Sequence, residues 1–211
     1  MSLKYVRSHD VKRCLQAIAI AIAIAMAWLA GVDCALGAVI ADDSDITVRV
    51  QQHGQHIVVD VSVPVDAAVS DTWSVITDYD NMSSFISNLE TSRVIDRSGN
   101  VLTVLQKGKA SRGLLTFAFQ NVREITLDPE RSVRSRMISG DLESSEFVTH
   151  VIDLGDSSKI TNHGEFVPKI WVPPIIGPAL IEAETRKQFQ ELRSEIRRRK
   201  LDASANSNPR P

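Results

Sequence analysis

IIGPALIEAETRKQFQELRSEIRRRK, residues 175–200, is the stretch on which the fold turns. Ile181, Thr185, Phe189, Leu192 and Ile196 recur at steps of four and three, so they share one side of a helix. Glu182, Arg186, Lys187, Glu191 and Arg193 fall largely on the other sides. Pro173-Pro174 marks its entrance, and the helix is expected from about Ile175 to Lys200. At 1.5 Å per residue that is roughly 40 Å, enough to cross a whole sheet.

Working back from this helix, the chain reads as strands. Ile57–Val63 (IVVDVSV) is apolar at 57, 59, 61 and 63, the period of a strand with one buried face. Pro64 is expected to end it and Asp66 to cap a helix whose stripe is Val69, Trp73 and Ile76. Asp78-Tyr79-Asp80-Asn81 breaks that helix, and Met82–Ile86 makes a short second one. Leu89–Asp96 and Val101–Lys107 flank the hairpin signal Ser98-Gly99-Asn100. Leu114–Leu127, Ser132–Ile138, Glu143–Leu154 and Lys159–Pro168 follow, separated by Asp128-Pro129-Glu130, Gly140-Asp141 and Gly155-Asp156. Short turns between successive strands favour an antiparallel meander. The class is α+β: a curved antiparallel sheet of about seven strands, with two short helices after strand one. It hides its apolar face by wrapping around the C-terminal helix.

The N-terminus has a separate role. Lys4, Arg7, Lys12 and Arg13 precede a run from Leu15 to Val32 in which Gln16 is the only polar residue. Small residues follow at Ala35-Leu36-Gly37 and Val39-Ile40-Ala41, the order of a secretory signal. The apolar run approaches the ~18 residues of a spanning helix, so an uncleaved anchor over residues 15–32 is the alternative. The expected organisation is a signal over residues 1–38, one domain over 45–200 and a disordered tail over 201–211. The expected destination is outside the cytoplasm, a bacterial periplasm. Cys14 and Cys34 lie in or beside the signal, so a cleaved chain has no disulfide and no thiolate nucleophile. Asp33 and Gly31 do not suit lipid attachment at Cys34.

The whole chain carries 24 basic and 26 acidic residues, net −2. Without Lys4, Arg7, Lys12, Arg13, Asp10 and Asp33 the remainder stands at −4. A mildly acidic body argues against nucleic acid as a partner.

Several motifs come in a definite order. Val63-Pro64-Val65-Asp66-Ala67 leads into Trp73-Ser74-Val75-Ile76-Thr77-Asp78-Tyr79. Phe85-Ile86-Ser87-Asn88-Leu89, Ser139-Gly140-Asp141-Leu142 and Gly164-Glu165-Phe166-Val167-Pro168-Lys169-Ile170-Trp171-Val172-Pro173-Pro174 follow. Together they resemble the START-like SRPBCC superfamily, in particular its polyketide-cyclase and coenzyme-Q-binding branch, over about Ile57 to Lys200. Relatives often carry proline where Ser87 stands. The resemblance implies a helix-grip fold with a cavity between sheet and C-terminal helix, used for lipids, quinones, sterols or polyketides. The superfamily hosts both carriers and enzymes, so fold alone does not decide function.

No nucleophile–base pair, metal motif or phosphate loop is legible. No catalytic residue, metal ligand or cofactor is therefore expected. Gly108–Gly113 lacks the spacing of a phosphate loop and reads as a turn between strands. His53 and His56 read as solvated, and His150 and His163 lie on consecutive strands. Arg134 and Arg136 share a strand face opposite Val133, Ser135 and Met137, and a solvated face is the simpler reading. The basic run Arg197–Lys200 either suits the helix dipole or meets an anionic membrane surface. The residues expected to line a ligand cavity are Trp73, Phe85, Phe117, Phe119, Met137, Phe147, Phe166, Trp171, Ile176 and Leu180. The partner expected is a hydrophobic small molecule: a lipid, an isoprenoid quinone or a polyketide-like compound. Two other readings stay open. In a cyclase or dehydratase, His150, His163, Glu165 and Arg136 are the polar candidates. In a membrane-tethered interaction module, the core is solid.

Overall fold

A computed structural model describes residues 45–112, 115–170, 172, 174 and 177–206. The segment expected to be a signal or an anchor lies outside them. The elements in chain order are β1 (Thr47–His53), β2 (His56–Val65), α1 (Val69–Ile76), a 3-10 turn (Met82–Ser84), β3 (Leu89–Ser98), β4 (Val101–Arg112), β5 (Leu115–Asp128), β6 (Ser132–Gly140), β7 (Leu142–Asp153), β8 (Ser158–Pro168) and α2 (Gly177–Asn206). The eight strands form one antiparallel sheet in the order β1-β2-β8-β7-β6-β5-β4-β3. Its two edges, β1 and β3, do not meet, so the sheet stays an open curve around α2: the α+β helix-grip arrangement, with one strand more than about seven.

The extra strand is β1. Ile46 and Val48 are buried, and Gly54, at φ 66, makes the tight turn into β2. Pro64 does not end β2, which runs on to Val65. Asp66 caps nothing: the helix N-cap is Ala68, without a side-chain hydrogen bond, and Asp66 lies near Lys200. The side of α1 turned inward is Thr72, Val75 and Ile76, with Val69 and Trp73 half-buried at its margin. Thr72 is the polar member of that stripe, and its hydroxyl hydrogen-bonds the buried Ser158 hydroxyl at 2.8 Å. The second short helix is a single 3-10 turn.

Gly108 lies inside β4 rather than in a turn, opposite Phe119. A Cβ there would fall 2.0 Å from the Asn88 carbonyl oxygen and 2.7 Å from Phe119 Cζ. Only glycine admits that approach.

The packed core joins β1, β2, β8, β7, β6, β5 and β4 to α1 and the second half of α2, with Val63, Val75, Val104, Ile160 and Ile196 fully buried. Two arginines fasten α2 to the residues that lead into β1. Arg186 donates to the Ile46 carbonyl, and the fully buried Arg193 donates to Asp45 Oδ1 at 2.8 Å. Past Lys200 the helix continues through Leu201–Asn206, which had been expected in the disordered tail. Arg198, bonded to Glu195 and Asp202, ties that last turn to the body of the helix.

Candidate functional site

Strand alternation sends one side of each central strand toward α2. On β5 that side carries Phe119, Asn121, Arg123 and Ile125; on β6, Val133 and Ser135; on β7, Phe147 and Thr149; on β8, Asn162 and Phe166. The first half of α2 turns Leu180, Ile181, Thr185, Phe189 and Leu192 to meet them. The two surfaces do not touch throughout: they enclose a cavity of about 480 Å³. Its span along α2 ends where Ile196 enters the packed core. A solid core, which the interaction-module reading requires, is therefore absent beneath this half of the helix.

The lining is chiefly apolar, with a polar row across the sheet. Arg123 lies at its centre. Nε donates to Ser135 Oγ at 2.6 Å and Nη2 to Ser145 Oγ at 3.2 Å. The guanidinium stands over the Phe147 ring, 5.5 Å from its centroid, and Phe147 in turn stacks with Phe166 at 6.3 Å. Gly164, opposite Phe147 in register, leaves room for that ring: a Cβ there would fall 2.1 Å from Phe147 Cδ1.

Burial pulls the Arg123 pKa below its ordinary value, with Tyr79 opposing. Burial pushes the Tyr79 phenol up, so it stays protonated as a donor at neutral pH. Asn162 Nδ2 donates to Thr149 Oγ1 at 2.7 Å, while the side-chain oxygens of Asn88 and Asn121 are buried without a partner. Asn88 and Glu184 also border a smaller pocket of about 230 Å³ lined by Ser87, Glu90, Lys109 and Lys187. That pocket forms a charged rim beside the cavity. The combination of apolar walls and a few fixed polar groups suits an amphiphilic ligand.

Of the residues expected to line the cavity, Phe119, Phe147, Phe166 and Leu180 do. Three do not. Trp73 packs half-buried against the core from α1, because the helix turns Thr72 and Val75 inward instead. Phe85 lies under the Arg199 guanidinium, 5.5 Å from its ring centroid, beside the second half of α2. Met137 flanks the register shift between Val122 and Arg123 on the β5–β6 ladder and lies outside the lining. Trp171, Ile176 and the Phe117 side chain lie outside the described residues.

The polar candidates for an enzyme stand on the far side of the sheet. His150, His163, Glu165 and Arg136 are exposed. His163 meets Asp60 at 2.7 Å, Arg136 meets Glu124 and Arg134 meets Glu146. Among the described residues no three His, Cys, Asp or Glu side chains gather to hold a metal. The basic run at the end of α2 is matched by acids: Arg199 by Asp78 and Glu195, and Arg198 by Glu195 and Asp202.

Arg123 was missed in the sequence although its signal was there. It shares strand parity with Phe119 and Ile125, and the β4–β5 ladder runs without a shift from 101↔126 to 112↔115. A charged residue on the apolar side of a strand is the feature to look for.

The comparisons agree with this geometry. Residues 56–197 match the family model described as polyketide cyclase / dehydrase and lipid transport. The Zhui aromatase/cyclase of a Streptomyces species is similar in structure, with TM-score 0.58 and 15% identity, covering 70% of this chain and 96% of its own. A START superfamily protein from Mycobacterium smegmatis gives 0.59 and 14%, covering 67% and 97%. A fragment of a STAR-related lipid transfer protein from Xanthomonas axonopodis gives 0.56 and 12%, covering 72% and 98%. At these identities the likeness is one of fold. No curated protein sequence matches the chain.

Proposed function

The chain belongs to the polyketide cyclase/dehydrase and lipid transport family, and on that premise we propose that it is an exported carrier for a hydrophobic small molecule, a lipid or an isoprenoid quinone. The observation that carries this reading is the cavity of about 480 Å³ between the sheet and the first half of α2. Its volume falls within the ~300–1,000 Å³ of small-molecule sites. Transfer of apolar surface out of water drives binding at about 25 cal/mol per Å², and the polar row fixes one end of the ligand. Lipid transport in the family description and the likeness to the Xanthomonas lipid transfer protein support the carrier. The likeness to the Streptomyces aromatase/cyclase belongs to the enzyme reading. That reading loses its sequence-level candidates here, since His150, His163, Glu165 and Arg136 face away from the cavity. Export rests on the basic, apolar and small-residue order of residues 1–38.

The test is native mass spectrometry of the protein purified from its own host, followed by solvent extraction. The expected result is a stoichiometric lipid or quinone. A protein that is empty, and still empty after exposure to membrane extract, overturns the carrier.

A further inference from the structure

The arginines that α2 carries into the fold are matched with carboxylates. Arg193 pairs with Asp45 at 2.8 Å, and Arg199 with Asp78 and Glu195, each at 2.7 Å. Arg123 is different. Its partners are the Ser135 and Ser145 hydroxyls and the face of Phe147, all neutral. Among the described residues no carboxylate lies within ion-pair distance of it. Among the described residues the one other charged residue lining the cavity is Glu184, which belongs to the rim shared with Lys109 and Lys187.

A guanidinium taken from bulk water without a counter-charge is costly, and hydroxyl dipoles do not neutralise it. Replacing Ser135 or Ser145 by an acid would have closed the pair within the protein. The structure leaves it open toward the cavity.

Arg123 also keeps unused donors. A guanidinium carries five N–H groups. Two are spent on the serines, leaving both on Nη1 and one on Nη2 without an acceptor among the described residues. Serines on two neighbouring strands and the ring of Phe147 hold the group in one orientation. Its cost of ordering is met before any ligand arrives.

We propose that Arg123 is the subsite for an anionic head group, so that the cargo is an amphiphile bearing a carboxylate or a phosphate. This rests on the carrier reading and narrows it. Carboxylate and phosphate oxygens accept two parallel N–H bonds from one guanidinium and return the missing charge. A neutral quinone, alcohol or ester with the same tail strips solvent from the guanidinium and returns none.

The experiment is isothermal titration of the full chain with dodecanoate, dodecyl phosphate and dodecanol, which differ in the head alone. It is repeated on Arg123→Met and Arg123→Lys, whose folding is checked by thermal melting. The expected result is that at least one anion binds about 10- to 100-fold more tightly than the alcohol, the range of a hydrogen bond to a charged group. The tighter anion identifies the head. Arg123→Met removes the preference of the anions over dodecanol, and Arg123→Lys retains part of it because charge remains but the planar fork does not. Equal affinity for all three ligands overturns the anionic subsite and leaves the carrier standing. Failure of every ligand to bind overturns the carrier, and the subsite with it. Should Arg123→Met fail to fold, an undiminished anion preference in Arg123→Lys counts against the bidentate grip.

Discussion

Thr185→Trp tests whether the space beneath α2 is a ligand site. Thr185 lies on the cavity-facing side of the helix, in line with Ile181 and Phe189. No hydrogen bond of its side chain needs to be broken. A tryptophan buries about 150–250 Å² when enclosed. If about 100 Å² of that is newly removed from water, the gain is about 2.5 kcal/mol at ~25 cal/mol per Å². Ordering the side chain takes back about 1 kcal/mol. The net is about 1.5 kcal/mol, which for a domain of this size raises the melting temperature by roughly 3–6 °C. The same ring occupies the volume the ligand needs, so binding of dodecanoate, or of whatever extracted lipid proves bound, falls by more than about tenfold. Thermal melting of the empty protein and titration of the ligand read the two effects separately. Unchanged melting together with unchanged affinity refutes the reasoning: the indole has then turned to solvent, and the ligand lies elsewhere.

Three further substitutions probe the framework around the site. Asp45→Asn removes one carboxylate charge from beside the buried Arg193; since Asp45 is itself partly exposed, urea denaturation is expected to show a loss of about 1–3 kcal/mol. Asp45 precedes the family-matched residues 56–197, and no loss would mean that this ion pair does not help hold α2. Glu195 has its carboxyl pulled down to about 2, first by the hydrogen bond from Arg198 and then by Arg199. A folded pKa below the unfolded one stabilises above pH ~4.5, and this contribution disappears as the pH falls toward 2. Glu195→Gln should therefore flatten the stability profile between pH 5 and 2 by about 1 kcal/mol, screening by solvent included; a profile as steep as the parent's would contradict the assignment. Gly164→Ala places a methyl 2.1 Å from Phe147 Cδ1 and 2.6 Å from the Glu146 carbonyl oxygen. A loss of about 1–3 kcal/mol is expected on thermal melting, with the ring displaced toward the cavity.

Periodicity made the frame of this protein readable. The apolar stripe Ile181–Thr185–Phe189–Leu192–Ile196 predicts how α2 faces the sheet, and Ile57, Val59, Val61 and Val63 are buried in β2, as their alternation predicts. Short turns between strands predict the antiparallel order, and the alternation of β6 puts Arg134 and Arg136 outside, as found. Boundaries were less legible. Pro64 sits within β2, near its end; Asp66 does not cap α1; and α2 outlasts Lys200 because Arg198 bridges Glu195 to Asp202.

Sequence by itself determined which side of each element is apolar, since that follows from local spacing at 2.0 or 3.6 residues. Tertiary structure alone decided what stands opposite. Phe85 and Phe166 are alike as apolar residues on inward positions, yet one lies beneath Arg199 and the other faces the cavity. Arg123 and Arg136 are both strand arginines, yet one meets an acid across the ladder and the other lies under α2 with neutral partners. Whether an inward side chain touches a neighbour or an open volume depends on how far the curved sheet stands from α2. That distance is set by residues far apart in the chain, among them Gly164 with Phe147 and Arg193 with Asp45.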